Sequence, residues 1–172
     1  MSAVLDELKT RARRLLSALG QDDSAAMLRA RGVCESQHWP WPASWQLKHC
    51  LNLVAAETGF EHFEHARRVL GGEAGEGEDM GSFWHAAGCA HLLNHWFARY
   101  PQAREQLDGG SGRFLLPYRK QFVVVAKPYL DVLGVGADSQ PWQDLAHDLV
   151  AGYGTSAWQA LCLERIKASR PP

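Results

Sequence analysis

Long apolar runs are absent from this sequence. No stretch approaches the ~18 consecutive apolar residues of a membrane-spanning helix, and the first 16 residues, MSAVLDELKTRARRLL, interleave acidic and basic residues where a secretory signal needs an apolar segment. A net positive charge is also absent, because 18 Lys and Arg are balanced by 19 Asp and Glu. The sequence therefore predicts a soluble cytoplasmic protein with no membrane attachment, and it does not favour a dedicated nucleic-acid binder.

Recognisable catalytic and metal motifs are absent as well. The four cysteines are scattered without a C-x-x-C pair, so neither a zinc ribbon nor a redox pair is indicated, and reduced, mostly buried thiols are expected. The sequence contains no H-E-x-x-H, no G-x-S-x-G and no phosphate-binding G-K-[ST] string. Catalysis and cofactor are therefore left open.

Helical periodicity dominates what is present. Apolar residues recur at helical spacing between glycine-rich and proline-rich breaks, which predicts about nine helices. One of them begins after Asp22 or Asp23 and should end at Gly32. The exception is residues 114–125, where two β-prone runs flank the segment Pro117–Gln121. The pattern predicts a mainly α, compact multi-helix fold with one short β-hairpin in the C-terminal half.

Residues 71–81, GGEAGEGEDMG, have the composition of a flexible link. Five Gly and four acidic residues leave almost nothing apolar in this segment. We therefore expect an N-terminal helical subdomain at 1–70, a Gly/Glu-rich linker at 71–81, and a C-terminal helical subdomain with the hairpin at 82–172.

The segment Phe83–Tyr100 is predicted to be the central helix. At ~100° per residue its apolar side chains cover more than half of the helix circumference, which is typical of a buried helix. Its polar residues fall on one narrow face. Residues expected to be buried here and in the preceding helices are Phe83, Leu93, Phe97, Leu51, Val54 and Phe63.

Two parts of the chain resemble bacterial proteins. Residues 51–70, LNLVAAETGFEHFEHARRVL, read as two helices about a tight Gly turn, and this pattern resembles a short helical module that accompanies some bacterial proteins of the glyoxalase superfamily. The strings MGSFWHAAG, LNHWFARY and LLPYRKQF are similar to a group of uncharacterised bacterial proteins. The resemblance implies a bacterial helical protein but no activity, because no glyoxalase catalytic motif is present.

A candidate metal site lies on the predicted central helix. His91 and His95 are four residues apart, a spacing that projects two imidazoles from one helix face as metal binding requires. Third ligands such as His62, His65 or Asp148 are distant in sequence. Histidines on a helix surface are therefore the simpler interpretation.

A candidate ligand site combines the central helix with the hairpin turn. A mid-helix Asn is unfavourable unless its hydrogen bonds are satisfied, and an Arg in the turn could instead receive a carboxylate or phosphate with two hydrogen bonds. A structural network that docks the hairpin on the helix is the alternative. The candidate ligand-binding residues are Asn94, His95, Tyr118, Arg119 and Gln121.

The leading functional hypothesis is a non-enzymatic binding module. Seven Trp and the missing catalytic strings favour an aromatic-lined groove between the two halves that binds a small anionic ligand or a protein partner. The first alternative is a metal-assisted or acid/base enzyme that uses His91 and His95. The second alternative is a nucleic-acid-binding protein that contacts its ligand through Arg11, Arg13, Arg14, Arg67 and Arg68. The sequence leaves the oligomeric state open.

Overall fold

The computed structural model describes residues 2–169, and this part of the chain is mainly helical, which confirms the predicted fold class. Its elements are α1 (Ala3–Leu19), α2 (Ser24–Gln37), α3 (Leu47–Glu57), α4 (Phe63–Leu70), a 3-10 helix (Ala87–His91), β1 (His95–Phe97), α5 (Tyr100–Asp108), β2 (Arg113–Tyr118), β3 (Gln121–Ala126), α6 (Lys127–Leu133), α7 (Gln140–Asp144) and α8 (Ser156–Ala168). None of the described helices has the length and apolar character needed to cross a membrane.

Helix α1 is the element on which the helical layer is assembled. Val4, Leu8, Ala12, Leu15 and Leu19 follow one another at spacings of three or four residues and are all buried. This apolar face packs against α3 and α8, with further contacts to α2 and α4. The first and last helices of the described chain therefore meet in one layer.

Helix α2 runs past the predicted end at Gly32. Asp23 caps its N-terminus as expected, with its side chain accepting a hydrogen bond from the Ala26 N–H. The helix continues to Gln37, and its C-cap is His38, which adopts a left-handed conformation with φ 56°. A single Gly weakens a helix by about 1 kcal/mol without ending it, and buried residues lie on both sides of Gly32 in α2.

The predicted central helix is wrong. Residues 83–100 instead contain the 3-10 helix, strand β1 and the first residue of α5, with turns and irregular chain between them. Gly88 and Asn94 are poor helix formers, and β1 pairs antiparallel with β3, with Trp96 opposite Val123. Pro101 then fits the first turn of α5, where its missing N–H costs nothing.

Some of the residues predicted to be buried are buried and others are not. Phe83 and Val54 are buried as expected. Leu51 and Phe63 are half-buried at the edge of the main core. Leu93 is 89% exposed, so its prediction is wrong. Phe97, the last of the set, is half-buried against the smaller cluster under α5.

The predicted hairpin is present as β2 and β3, and it belongs to a three-stranded antiparallel sheet in the order β1-β3-β2. Alternation along the strands separates two faces. Leu116 and Val123 face the main core, whereas Leu115 and Val124 join Ala103 of α5 in a smaller cluster. The sheet therefore lies between α5 and the helical layer.

Residues on both sides of the 71–81 segment contribute to one hydrophobic core, which extends from Val4 to Ile166. Hydrogen bonds also join residues before the 71–81 segment to residues after it. Gln159 of α8 donates its Nε2 to the Leu70 carbonyl at 2.8 Å, and Arg11 of α1 donates Nη1 to the Ser169 carbonyl at 2.6 Å.

Candidate ligand pocket

A cavity of about 440 Å³ opens beside the tip of the β2–β3 hairpin. Its walls come from residues 74–78, 119–122 and 149–151, together with Met80, Tyr100 of α5, Pro117 and Tyr153. Most of the lining is apolar, and both the volume and the lining are typical of small-molecule sites. None of the seven tryptophans lines it; the aromatic part of the wall consists of tyrosine and phenylalanine side chains.

A buried carboxylate holds the floor of this cavity. Asp148 is fully buried, and its Oδ1 accepts the backbone N–H groups of Val150 and Ala151 at 2.9 Å each. Its Oδ2 accepts the Tyr100 hydroxyl at 2.7 Å and Nη1 of Arg104 at 3.0 Å. Because a buried carboxylate must be paired and hydrogen-bonded, these four donors fix the turn at 148–152 and tie it to α5.

Tyr100 is a hydrogen-bond donor in this arrangement. Burial, reinforced by the neighbouring Asp148 carboxylate, raises the pKa of Tyr100. The phenol therefore stays protonated at neutral pH and continues to donate to Asp148. The wall formed by α5 and the floor of the cavity are held together by the same hydrogen bond.

The backbone that leads into Asp148 is strained. Ala146 and His147 both adopt positive φ, 48° and 62°, a region that side chains other than Gly rarely occupy. The outer edge of β2 holds this segment, since the Leu115 N–H donates to the His147 carbonyl and the Leu149 N–H donates to the Leu115 carbonyl. Strain of this kind persists only where the surroundings enforce it, and it is concentrated at functional sites.

The hairpin turn supplies the cationic part of the rim. Arg119 has φ 51° and is fixed by its backbone, which donates to the Gly81 carbonyl at 2.7 Å and accepts the Met80 N–H at 2.9 Å. Arg119, Lys120 and Gln121 are exposed and line the cavity. Within residues 2–169 no carboxylate forms an ion pair with Arg119 or Lys120.

Residues 74–80, here called the Gly-Glu strap, form the opposite part of the rim. At one end the Ala74 N–H donates to the Tyr153 hydroxyl oxygen at 3.0 Å, and at the other end Met80 is bonded to the hairpin turn. In between, Glu78 accepts two hydrogen bonds from Nη2 of Arg68. The segment that the sequence presents as a link is therefore also a wall of the cavity.

The structure brings only part of the predicted ligand site together. Arg119 and Gln121 both line the cavity. Tyr118 does not line the cavity, because its ring packs edge-to-face against Trp96 and against His85. Its contact with the rim is through Arg119, whose guanidinium carbon lies 5.8 Å from the Tyr118 ring centroid.

Asn94 and His95 lie away from these residues. Asn94 donates its Nδ2 to the Cys89 carbonyl at 3.2 Å, while its Oδ1 is buried without a hydrogen-bond partner among the described residues. His95 is exposed, and the strand alternation places it on the sheet face opposite Tyr118. The structure therefore does not show the predicted network between Asn94 and the hairpin turn.

The predicted spacing of the metal site depended on the central helix. His91 lies in the 3-10 helix and His95 in β1, so the two imidazoles do not share a helix face, and this premise is wrong. His62 caps α4, with its Nδ1 accepting the His65 N–H, and Nε2 of His65 lies 2.7 Å from the Asp79 carbonyl oxygen. In the part of the chain described, no three His, Cys, Asp or Glu residues come together to hold a metal ion.

A second group of titratable side chains lies next to the sheet. Nδ1 of His85 lies 2.8 Å from the Tyr129 hydroxyl, which donates to the Trp84 carbonyl at 2.9 Å. Burial lowers the pKa of His85 and raises the pKa of Tyr129. Both groups are therefore neutral near pH 7, and they connect the 83–86 segment to α6.

The arginines of the nucleic-acid alternative are largely engaged in ion pairs. Arg67 pairs with Glu64 and Glu73, and Arg68 pairs with Glu78. Arg11 pairs with Glu7 and also donates to the Ile166 carbonyl of α8 and to the Ser169 carbonyl that follows it. Of the five, only Arg13 and Arg14 are exposed without an ion pair within residues 2–169, and both lie on α1.

Asp148 is the residue of the candidate site that the sequence does not identify, because the sequence suggests it only as a distant metal ligand. The available signal is its position in the largely apolar run 145–151, because a carboxylate placed among buried residues requires partners. The partners themselves, on α5, cannot be read from that run.

Comparisons with protein families, with curated proteins and with solved structures found no match to this chain. They leave the resemblance of residues 51–70 to a glyoxalase-associated module, and the bacterial origin it implies, as predictions.

Proposed function

We propose that this protein binds a small ligand with an apolar body and an anionic group in the cavity beside the hairpin tip. One observation carries the proposal: an apolar cavity of about 440 Å³ has Arg119 and Lys120 on its rim, and neither is paired with a carboxylate of residues 2–169. An Arg guanidinium binds a carboxylate or phosphate through two parallel hydrogen bonds. Apolar walls would hold the body of the ligand, and the hairpin turn would hold its charge.

We propose binding rather than catalysis because the polar groups at the cavity already have structural partners. The Tyr100 hydroxyl donates to Asp148, and the Tyr153 hydroxyl donates to the Val69 carbonyl at 2.8 Å. Among the described lining residues no nucleophile is paired with a base, which is the arrangement that covalent catalysis uses. We further propose a cytoplasmic location, which is supported by four buried cysteines without disulfides.

The test uses 8-anilinonaphthalene-1-sulfonate, a fluorescent probe with an apolar body and one sulfonate. We expect saturable binding to the native protein. The double change Arg119→Gln with Lys120→Gln should weaken it about tenfold, since a charged hydrogen bond at a partly exposed rim is worth roughly 1–2 kcal/mol. Gln is chosen because, like Arg, it carries a Cβ, so the free-energy cost of the backbone conformation at φ 51° is unchanged by the substitution.

The matched control is the double change Arg14→Gln with Lys167→Gln, which removes the same two charge types from exposed positions outside the cavity. Ala151→Trp provides a second test, because Ala151 lines the cavity and an indole there fills it. Probe affinity that is the same in the native protein and in all three variants would rule out this cavity as the binding site.

A further inference from the structure

The rim of this cavity carries charges of both signs. Arg119 and Lys120 are on the hairpin side, and Glu76 and Glu78 are on the Gly-Glu strap. Glu78 is neutralised by Arg68, whose Nη2 lies 2.6 Å and 2.8 Å from its two carboxylate oxygens. Glu76 has no ion pair within residues 2–169, so one uncompensated carboxylate lies on the strap side of the rim.

Glu76 is held at the rim by a tight turn. The Glu78 N–H donates to the Gly75 carbonyl at 3.2 Å, which places Glu76 and Gly77 at the two central positions. Gly77 has φ 78°, a value that Gly adopts at little cost. The turn therefore presents the Glu76 side chain at the tip of the strap, between two anchored ends.

Building on the proposed function, we infer that the ligand is a small zwitterion with an apolar body, of the class to which apolar α-amino acids belong. A ligand with only a negative charge gains from Arg119 and Lys120 but is repelled by Glu76. A ligand that also carries an ammonium group is attracted by the Glu76 carboxylate as well as by the two cations. Complementary charge on both sides of the rim therefore selects a head group that contains both signs.

The interior of the cavity suits the apolar part of such a ligand. Val150 lines it, and the rings of Tyr100 and Phe122 meet edge-to-face with centroids 5.8 Å apart. The charged side chains are exposed at the mouth. The ligand would therefore bury its apolar tail against the floor while its head group stays partly hydrated, which avoids the desolvation cost of a fully buried ion pair.

The test compares three compounds that share one aromatic body: L-phenylalanine with both charges, 3-phenylpropionate with only the carboxylate, and phenethylamine with only the ammonium. Amide chemical shifts of 15N-labelled protein report weak binding and locate it at residues 75–78 and 119–121. We expect L-phenylalanine to bind about two- to fivefold tighter than either analogue, which corresponds to one exposed ion pair.

The change Glu76→Gln separates this inference from a general preference for anions. It should lower the affinity for L-phenylalanine and raise the affinity for 3-phenylpropionate, each by about two- to fivefold. Glu105→Gln is the matched control, since Glu105 is exposed on α5 and does not line the cavity. Opposite changes in the two affinities are a result that loss of folding or of strap structure would not produce.

The zwitterion inference is overturned if 3-phenylpropionate binds as tightly as L-phenylalanine, if none of the three compounds shifts the cavity amides, or if Glu76→Gln leaves both affinities unchanged. Tighter binding of N-acetyl-L-phenylalanine amide, which lacks both charges, would overturn it in favour of a peptide segment. In all these cases the proposed function survives as long as binding of the sulfonate probe depends on Arg119 and Lys120. Probe binding that does not depend on them contradicts the proposed function itself.

Discussion

At the scale of single residues, Asp148 connects stability to the candidate site. Its carboxylate is the common acceptor for the turn that forms the cavity floor and for the Tyr100 and Arg104 side chains of α5. A single side chain therefore positions two walls of the cavity.

We predict that Asp148→Ala lowers the free energy of unfolding by about 3–5 kcal/mol, because it leaves buried N–H and O–H donors without an acceptor. Urea unfolding followed by Trp fluorescence measures this loss. Asp108→Ala is the control, since Asp108 also pairs with Arg104 but its side chain is 60% exposed, and that change should cost less than about 1 kcal/mol. Equal losses in the two variants would show that Asp148 does not hold the floor.

Residue-level burial could be predicted where local pattern and tertiary packing agree. Val54 belongs to a regular apolar face of α3 and is buried as expected. A helical wheel predicts that Leu93 is buried, yet it lies in the short connection between the 3-10 helix and β1 and is 89% exposed. The wheel describes a side chain correctly only if the helix forms.

At the scale of elements, the failure of the central helix has a specific cause. The apolar residues of 83–100 match a helical period, but the partner that decides their structure is β3, about 25 residues further along the chain. Pairing with a distant strand is not encoded in the local period, and it overrides helix propensity. The β2–β3 hairpin could be predicted because both strands and their turn are contiguous.

The same contrast applies to the candidate site. Arg119 and Gln121 could be identified from the sequence because they belong to the predicted hairpin turn, and both line the cavity. The Gly-Glu strap and the 148–152 turn could not, because their contribution depends on where the chain returns to the hairpin. Composition identified the strap as irregular chain but gave no information about its neighbours.

Two glycines provide a test of element assignment. Gly32 lies inside α2, and a Cβ at this position would meet no atom within 4 Å. We predict that Gly32→Ala raises the free energy of unfolding by about 0.5–1 kcal/mol, because Ala is the better helix former. Thermal or urea unfolding measures the change. A loss of stability would mean that α2 ends at Gly32 after all.

Gly59→Ala should change the free energy of unfolding in the opposite direction, towards lower stability. Gly59 has φ +95°, and a Cβ there would lie 2.7 Å from the backbone carbonyl carbon of Ser82. We expect a loss of about 2–4 kcal/mol from the left-handed conformation and the clash together. The pair of variants shows whether a glycine is present for conformation or is merely tolerated.

At the scale of the whole molecule, the 71–81 segment crosses between parts of the chain that share one core. Helix α8 packs on α1, Gln159 of α8 donates to the Leu70 carbonyl, and Arg11 of α1 donates to the Ser169 carbonyl. Hydrogen bonds of this kind add to the apolar contacts of the core. Continuity of the backbone at the strap is therefore not what holds the two parts together.

Limited proteolysis with a Glu-specific protease tests this view. We predict that the first cut follows Glu76, because Glu76 is exposed at the tip of the strap, whereas Glu73 is paired with Arg67 and Glu78 with Arg68. Exposed loop tips are the preferred sites of nicking. Cleavage there gives fragments of roughly 8 and 11 kDa, estimated from chain length.

The nicked protein should elute from a size-exclusion column in native buffer as a single species with the mobility of the intact chain. Separating the fragments would expose the shared apolar core to water, and this exposure costs a free energy of about 25 cal/mol for each Å² of apolar surface. Cleavage would, however, break the strap within the turn that the Glu78 N–H closes on the Gly75 carbonyl. This opens one wall of the cavity, so the nicked protein should bind the sulfonate probe more weakly while it remains assembled. Two folded fragments that elute independently would instead establish two separate domains. In that case the cavity would be lost, because residues on both sides of the cut line it.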